Sequence, residues 1–310
     1  MVAVRRPFRL GLELPALGVP TAPSGLPDPG VLDGYVAAVA AAQEAGFDAV
    51  WFSDRGEVGE ATADALTLAG GLAEVATTLT LGVIADVVDA RHPAVLARDV
   101  TCLDQVSAGR SAVLLFDSGP ARPGSVQGAP GDPLGRLGEA AAICRSLFTH
   151  AEPAGSGRFF RLGEVNDRPR PVQLGGPGIV VDLGRLAHPD GETARGPGAA
   201  PEGLVECLRS ADAVVTGGGP GQVRSIRRVI GNACRTAGLG SPPPLLWRGS
   251  PPAEGAVLPV AAPLSGHAAG IPVTMRALTS AGADGVIVRL GRNAPPGPDE
   301  VSGLGRRWGG

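Results

Sequence analysis

The sequence predicts an α/β fold in which eight parallel strands close into a (β/α)8 barrel of the TIM type. Three observations lead there. Short apolar runs bounded by glycine, proline and polar residues alternate with segments of helical period, the pattern of parallel strands joined by crossover helices. Eight such runs fit into 310 residues, the usual span of one barrel. No strand, turn and helix unit carries a full GxGxxG, and Gly217, Gly218, Gly219 and Gly221 make only a partial match, so an open doubly wound sheet is the alternative.

In chain order the first strand is FRLGLEL, 8–14. The preceding arginines and apolar run superficially resemble a signal peptide, but Glu13 and Pro15 interrupt the run, and a strand is the better reading. A helix over 31–45 follows, with Leu32, Val36 and Val39 on one face. DAVWFS, 48–53, is the second strand and 63–77 the second helix; LTLGVIADVV, within 79–88, is the third strand. The third helix, 93–107, has Pro93 at N1, where a missing N–H costs nothing. Val95, Leu96, Val100, Leu103 and Val106 form its sheet-facing stripe, with Arg91, Arg98, Asp99 and Gln105 outward, and Gly109 supplies the left-handed turn that ends it.

SAVLLF, 111–116, is strand four, with a helix over 134–148; GIVVDL, 178–183, is strand five, with a helix over 201–210; DAVVTG, 212–217, is strand six, with a helix over 220–237. A seventh strand falls somewhere in 245–260, followed by a helix over 272–281 and by GVIVRL, 285–290, as strand eight. Only about twenty residues remain, so the last helix is expected to be stunted or missing. The whole chain, 1–310, reads as one barrel domain with Gly/Pro-rich insertion loops at 119–135 and 185–203.

Composition narrows the function. All 27 basic residues are arginine, which excludes a lysine Schiff base and the lysine of a P-loop. The net charge of −3, without an arginine–aromatic stripe, gives no footprint for nucleic acid. Cys102, Cys144, Cys207 and Cys234 are far apart, form no CxxC pair and read as buried free thiols suited to a reducing cytoplasm. No uninterrupted apolar stretch reaches membrane-spanning length. His92, His150, His188 and His267 make no HxH or HExxH spacing, so no metal site is expected.

Active sites on this fold lie at the carboxyl ends of the strands. That nominates Ser53, Asp54 and Arg55 after strand two, Asp86 and Asp89 at the end of strand three, Asp117 and Ser118 after strand four, and Gly184 and Arg185 after strand five. Asp86 interrupts an apolar strand, and a buried unpaired carboxylate is expensive. His92 precedes the third helix on the same side of the barrel, either as a donor to a ligand or as a cap.

The runs EAGFDAVWFSD (44–54), DALTLAGGLAEVATTLTLG (64–82) and RHPAVLARDVTCLDQVSAGR (91–110) resemble the bacterial luciferase-like flavin-dependent oxidoreductases. GRFFRLGEVNDRPRPVQLGGPGIVVDLG (157–184) and SADAVVTGGGPGQVRSIRRVIGNACRTAGL (210–239) are similar to the branch with nitrilotriacetate and alkanesulfonate monooxygenases. The resemblance covers most of 8–240 and implies a barrel holding FMN, or in relatives a deazaflavin, at its top. In that branch a separate flavin reductase supplies reduced FMN, which reacts with oxygen to oxidise a small organic substrate, while the protein binds, orients and excludes water.

By their place on the active-site side, Asp54, Arg55 and His92 are candidates to act toward flavin ring or substrate, and the resemblance further implies that Asp86, Asp117 and Ser118 contact the flavin and that Gly184 and Arg185 hold its phosphate. Asp86, Leu114, Asp117 and Arg185 depart from the residues usual in that branch. Two alternatives therefore stay open: a barrel without flavin that partners an active paralogue, and a deazaflavin-dependent hydride-transfer enzyme. Pairing as a homodimer or with a paralogue would use the face of Leu66, Leu68, Leu72 and Val75, which equally suits a core.

Overall fold

The computed structural model describes residues 9–18, 29–53, 62–88, 91–119, 132–149, 157–163, 169–187, 202–250, 275–290 and 295–308. Its elements run β1 (Leu10–Glu13), α1 (Pro29–Glu44), β2 (Ala49–Ser53), α2 (Ala65–Gly71), β3 (Thr80–Asp86), α3 (Pro93–Val106), β4 (Ser111–Phe116) and α4 (Pro133–Thr149). They continue with β5 (Gly178–Asp182), a 3-10 turn (Gly184–Ala187), α5 (Glu202–Ser210), β6 (Ala213–Thr216), α6 (Pro220–Ala237), β7 (Leu245–Gly249), α7 (Met275–Ser280), β8 (Gly285–Arg289) and α8 (Pro298–Trp308). The strands pair in parallel in sequence order, and β8 returns to β1 to close the ring, which sets aside the open sheet.

The eighth helix corrects the sequence reading. PDEVSGLGRRW forms a regular helix with Asp299 and Glu300 in its first turn and Arg306 and Arg307 in its last, the charge order that complements the helix dipole. Val301, Leu304 and Trp308 are buried at helical spacing, and Trp308 stacks on Trp247 of β7 with ring centroids 5.8 Å apart. α2 is shorter than expected because paired glycines, Gly70 and Gly71, stop it.

In α3, Leu96, Val100 and Leu103 are buried, but Val95 and Val106 lie on the solvent side. The inner face is instead completed by Ala97, Thr101 and Asp104. α1 likewise buries Tyr35, Ala38, Val39 and Ala42 and leaves Leu32 half exposed. Cys144, Cys207 and Cys234 are buried, whereas Cys102 is exposed on α3. Leu68 and Leu72 are core, with Leu66 and Val75 packed partly buried against it. No helix among the described residues is long and apolar enough to cross a membrane.

Alternation along each strand separates two cores. One set, including Leu12, Phe52, Val83, Leu115, Val181, Val214, Trp247 and Val288, packs under the helices. The other, with Trp51, Ile84, Leu114, Val180, Val215, Leu246 and Ile287, fills the barrel. Trp51 occupies its centre because its neighbours are glycines. A Cβ on Gly82 would lie 2.1 Å from the indole and one on Gly11 2.8 Å from it, so neither strand tolerates a side chain there.

A repeated device holds the amino-terminal rim. The aspartate just before β2, β6 and β8 accepts an N–H from the start of the preceding strand: Asp48 from Leu10 at 2.9 Å, Asp212 from Ile179 at 2.8 Å and Asp284 from Leu245 at 2.8 Å. The same residues return a backbone N–H to the carbonyls of Leu10, Ile179 and Leu245. Each staple thus joins two strands by a side-chain and a main-chain bond. At β4 the fully buried Asp104 does related work, accepting from Ser111 Oγ, Gln173 Nε2 and the N–H groups of Val172 and Gln173.

Candidate functional site

The inward register that places Trp51 at the barrel centre also decides what reaches its carboxyl-terminal mouth. Two residues further along each strand, the inward positions are Glu13, Ser53, Asp86, Phe116, Asp182, Arg248 and Arg289. β6 contributes Gly217 in the same register, and its missing side chain leaves space. Most of these are polar groups at the end of otherwise apolar strands, an arrangement justified only by ligand binding or mutual pairing.

Arg248 is the hub. Its Nε and Nη2 each donate to a separate oxygen of Glu13 at 2.7 Å, a fork that ties β7 to β1. Its Nη1 reaches Asp182 Oδ2 at 3.5 Å. Arg289, 56% exposed, stands 3.6 Å from Glu13. Burial pushes the Asp182 carboxyl up from the usual carboxylate range, against the pull of Arg248 and of the Gly184 N–H, which donates at 2.7 Å. The paired carboxylates hold the Arg248 guanidinium above the usual arginine value despite burial that works the other way, so it stays charged.

Beside this network lies a cavity of about 290 Å³, lined by Asp182, Gly184, Gly217, Gln222, Arg248 and Arg289 among others. Gly217 and Gly218 lead into α6, whose N-cap Gly219 makes no side-chain cap bond. Trp247 fixes this loop from behind by donating Nε1–H to the Gly218 carbonyl at 2.7 Å. Gly218 has φ +77, and a Cβ there would meet Gln222 at 2.0 Å. Arginines, backbone of glycine turns and the start of a long helix together suit an oxyanion such as a phosphoryl group.

The residues nominated from sequence divide. Asp86 is buried, shares the inward register, and its Oδ1 accepts from the N–H groups of Val88 and Ser118, so Asp86 and Ser118 meet at the ends of β3 and β4. Asp117 points the other way: it forms a buried ion pair at 2.8 Å with Arg136 of α4 and accepts the Gly119 N–H. Its charge is satisfied in the outer layer, away from the barrel mouth.

His92 caps α3, its Nδ1 accepting the Ala94 N–H at 3.2 Å, so Nε2 carries the proton. Its ring meets the edge of Phe160 at 5.7 Å. Gly184 lines the cavity and begins the 3-10 turn that includes Arg185 in its backbone. Asp54, Arg55, Asp89 and the Arg185 side chain lie outside the described residues.

Glu13, Asp182, Arg248 and Arg289 were not reached from sequence as site residues. A signal existed: in RLGLEL, GIVVDL and GVIVRL one charged residue sits near the carboxyl end of an apolar strand. Arg248 was hidden because the seventh strand had no register until its start at Leu245 was fixed.

A closed eight-stranded ring with charged groups gathered at its carboxyl-terminal mouth defines a barrel enzyme scaffold. The particular family follows from comparison: residues 17–183 match the family model described as luciferase-like monooxygenase, and the chain belongs to that family. Comparison with curated protein sequences gives no match. Among solved structures, the coenzyme F420-dependent tetrahydromethanopterin reductase from Methanopyrus kandleri is similar over 97% of this chain and 98% of its own, with 13% identity and a TM-score of 0.68. The EDTA monooxygenase of Chelativorans sp. BNC1 is similar over 97% and 92%, with 14% identity and a TM-score of 0.64. The oxygenating constituent of 3,6-diketocamphane monooxygenase from Pseudomonas putida, in complex with FMN, is similar over 79% and 68%, with 16% identity and a TM-score of 0.52.

Proposed function

We propose that this chain is a flavin-dependent oxidoreductase of the monooxygenase type, which takes FMN reduced by a separate reductase and acts on a small organic substrate at the barrel mouth. The observation that carries the reading is the cavity between the ends of β5 and β8, where Arg248 and Arg289 meet the glycine turns at Gly184 and Gly217. These groups fit a cofactor's phosphoryl end: two guanidinium groups supply charge and paired donors, and the absent side chains at 184 and 217 let backbone approach. Membership of the luciferase-like monooxygenase family supports the same assignment.

Bound flavin would supply the redox chemistry; the protein's residues bind, orient and exclude water. Glu13 holds the Arg248 fork rigid, so that the guanidinium needs no reorganisation when an anion enters. Ser53, Asp86 and Phe116 border the mouth on the opposite side, whereas His92 caps α3 with its Nε2 buried. Phe116 gives a planar group an apolar partner, and Asp86 fixes the Ser118 backbone beside it.

Fluorescence titration with FMN and with riboflavin tests the assignment. The phosphate should make FMN bind about tenfold or more tightly than riboflavin, and Arg289→Ala should remove most of that difference, as expected for loss of a charged hydrogen bond. Equal affinity for the two flavins would refute the phosphoryl assignment. A deazaflavin hydride-transfer reaction is the second reading, favoured by the likeness to the F420-dependent reductase over nearly the whole of both chains.

A further inference from the structure

We propose that Asp182 makes the cavity selective for an oxyanion that carries its own proton, so that a phosphate monoester, as in FMN, is accepted over a phosphate diester, as in F420, or over sulfate. The inference rests on the reading that this cavity seats the cofactor's phosphoryl end.

The geometry is a charge balance. Among the described residues, those facing the cavity or touching its charged groups are Arg248 from β7, Arg289 from β8, Glu13 from β1 and Asp182 from β5, with Gln222 from α6 and Ser250 after β7 as neutral groups. Glu13 has both oxygens committed to the Arg248 fork. Asp182 differs: Oδ1 is held by the Gly184 N–H at 2.7 Å, and among the described residues Oδ2 has only the long 3.5 Å approach of Arg248 within a carboxylate that itself lines the space. The two arginines attract an anion, and Asp182 repels one that arrives fully ionised.

A carboxylate beside an oxyanion is tolerated when one proton lies between them. A phosphate monoester has a second ionisation near pH 6, so its monoanion, roughly one molecule in ten at pH 7, carries a P–OH that can donate to the carboxylate, and the dianion regains that proton from solvent at modest cost. A diester and sulfate have no such proton at neutral pH, so their binding requires Asp182 to be protonated from solvent or to remain as an unfavourable neighbour. Discrimination thus comes from a repulsive group built into an otherwise attractive site. It is the kind of difference that separates FMN from F420, whose phosphate is an internal diester.

The experiment measures inorganic phosphate and sulfate binding to the full chain at pH 7 by calorimetry, then FMN and F420 by fluorescence quenching, in the wild type and in Asp182→Asn. The wild type should prefer phosphate to sulfate, and FMN to F420, by roughly tenfold or more, the size of one charge-assisted hydrogen bond gained or lost. Asp182→Asn, which donates N–H in place of the repelling oxygen, should bring each pair within about threefold, chiefly by tightening sulfate and F420. A wild type that binds sulfate as well as phosphate, or binds neither, overturns the proposal, as does a folded Asp182→Asn protein that keeps the preference. Should the variant not fold, the wild-type ratios decide alone. If phosphate is preferred to sulfate while FMN and riboflavin bind equally, the selectivity holds and the assignment of the cavity to the cofactor fails.

Discussion

Replacing Glu13 by glutamine removes one charge from the fork that joins β1 to β7. Arg248 has a side chain only 18% exposed, and both of its short contacts are to Glu13. Breaking a buried pair by altering one member costs about 3–5 kcal/mol in general. Here Asp182 at 3.5 Å and partial access to the cavity recover some of that, so about 2–3 kcal/mol is expected. At roughly 2–4 °C per kcal/mol for a domain of this size, the melting temperature should fall by about 4–12 °C. Urea unfolding of Glu13→Gln, Arg248→Met and the double variant checks the argument. The double variant should regain most of the loss, because paired apolar or neutral groups need no compensation. A single variant within about 0.5 kcal/mol of the wild type, the range of ordinary surface changes, would refute the view that Arg248 depends on Glu13.

Three further outcomes are expected. Asp182 has a raised pKa, so its ionisation opposes folding, and stability tied to the protonated form is lost as pH rises; Asp182→Asn should match the wild type at low pH and gain on it above the usual aspartate range, read from urea midpoints between pH 4 and 8. Gly82→Ala forces a methyl group against the Trp51 indole and should cost about 1–3 kcal/mol or more, with a shift of tryptophan emission that Gly231→Ala, facing open solvent but for one arginine tip, does not show. Asp48→Asn, Asp212→Asn and Asp284→Asn should each lose about 1–2 kcal/mol of stability, and the losses should add if the staples are independent, as chemical denaturation of the single and triple variants would show.

The strands were legible because apolar runs bounded by turn residues encode a buried parallel sheet directly. β4, Ser111–Phe116, coincides with its predicted span, and α6, Pro220–Ala237, is bounded by a proline and a left-handed glycine that both stand in the sequence. The short remainder after β8 argues against a full α8, yet PDEVSGLGRRW has the acidic start, basic end and Val301, Leu304, Trp308 spacing that announce a helix. The site was less legible because inward and outward positions differ by one residue. Asp117 and Asp86 look alike as acids ending strands, yet register turns Asp117 to Arg136 outside and Asp86 toward the mouth. Arg248 and Glu13 are 235 residues apart, and only closure of the ring reveals that they face each other.

The aspartate staples carry a consequence for how the ring opens. Each couples one strand to the next at the rim remote from the site, joining β1 to β2, β5 to β6 and β7 to β8. Coupled pairs of this kind exchange their amides together, as cooperative units smaller than the whole. Breathing of the cylinder is therefore directed to the seams between pairs, and the Arg248 fork spans one of them by linking the β7–β8 pair to the β1–β2 pair at the other end. An anion that stiffens the fork would slow hydrogen exchange in four strands at once, though it touches only one end of them.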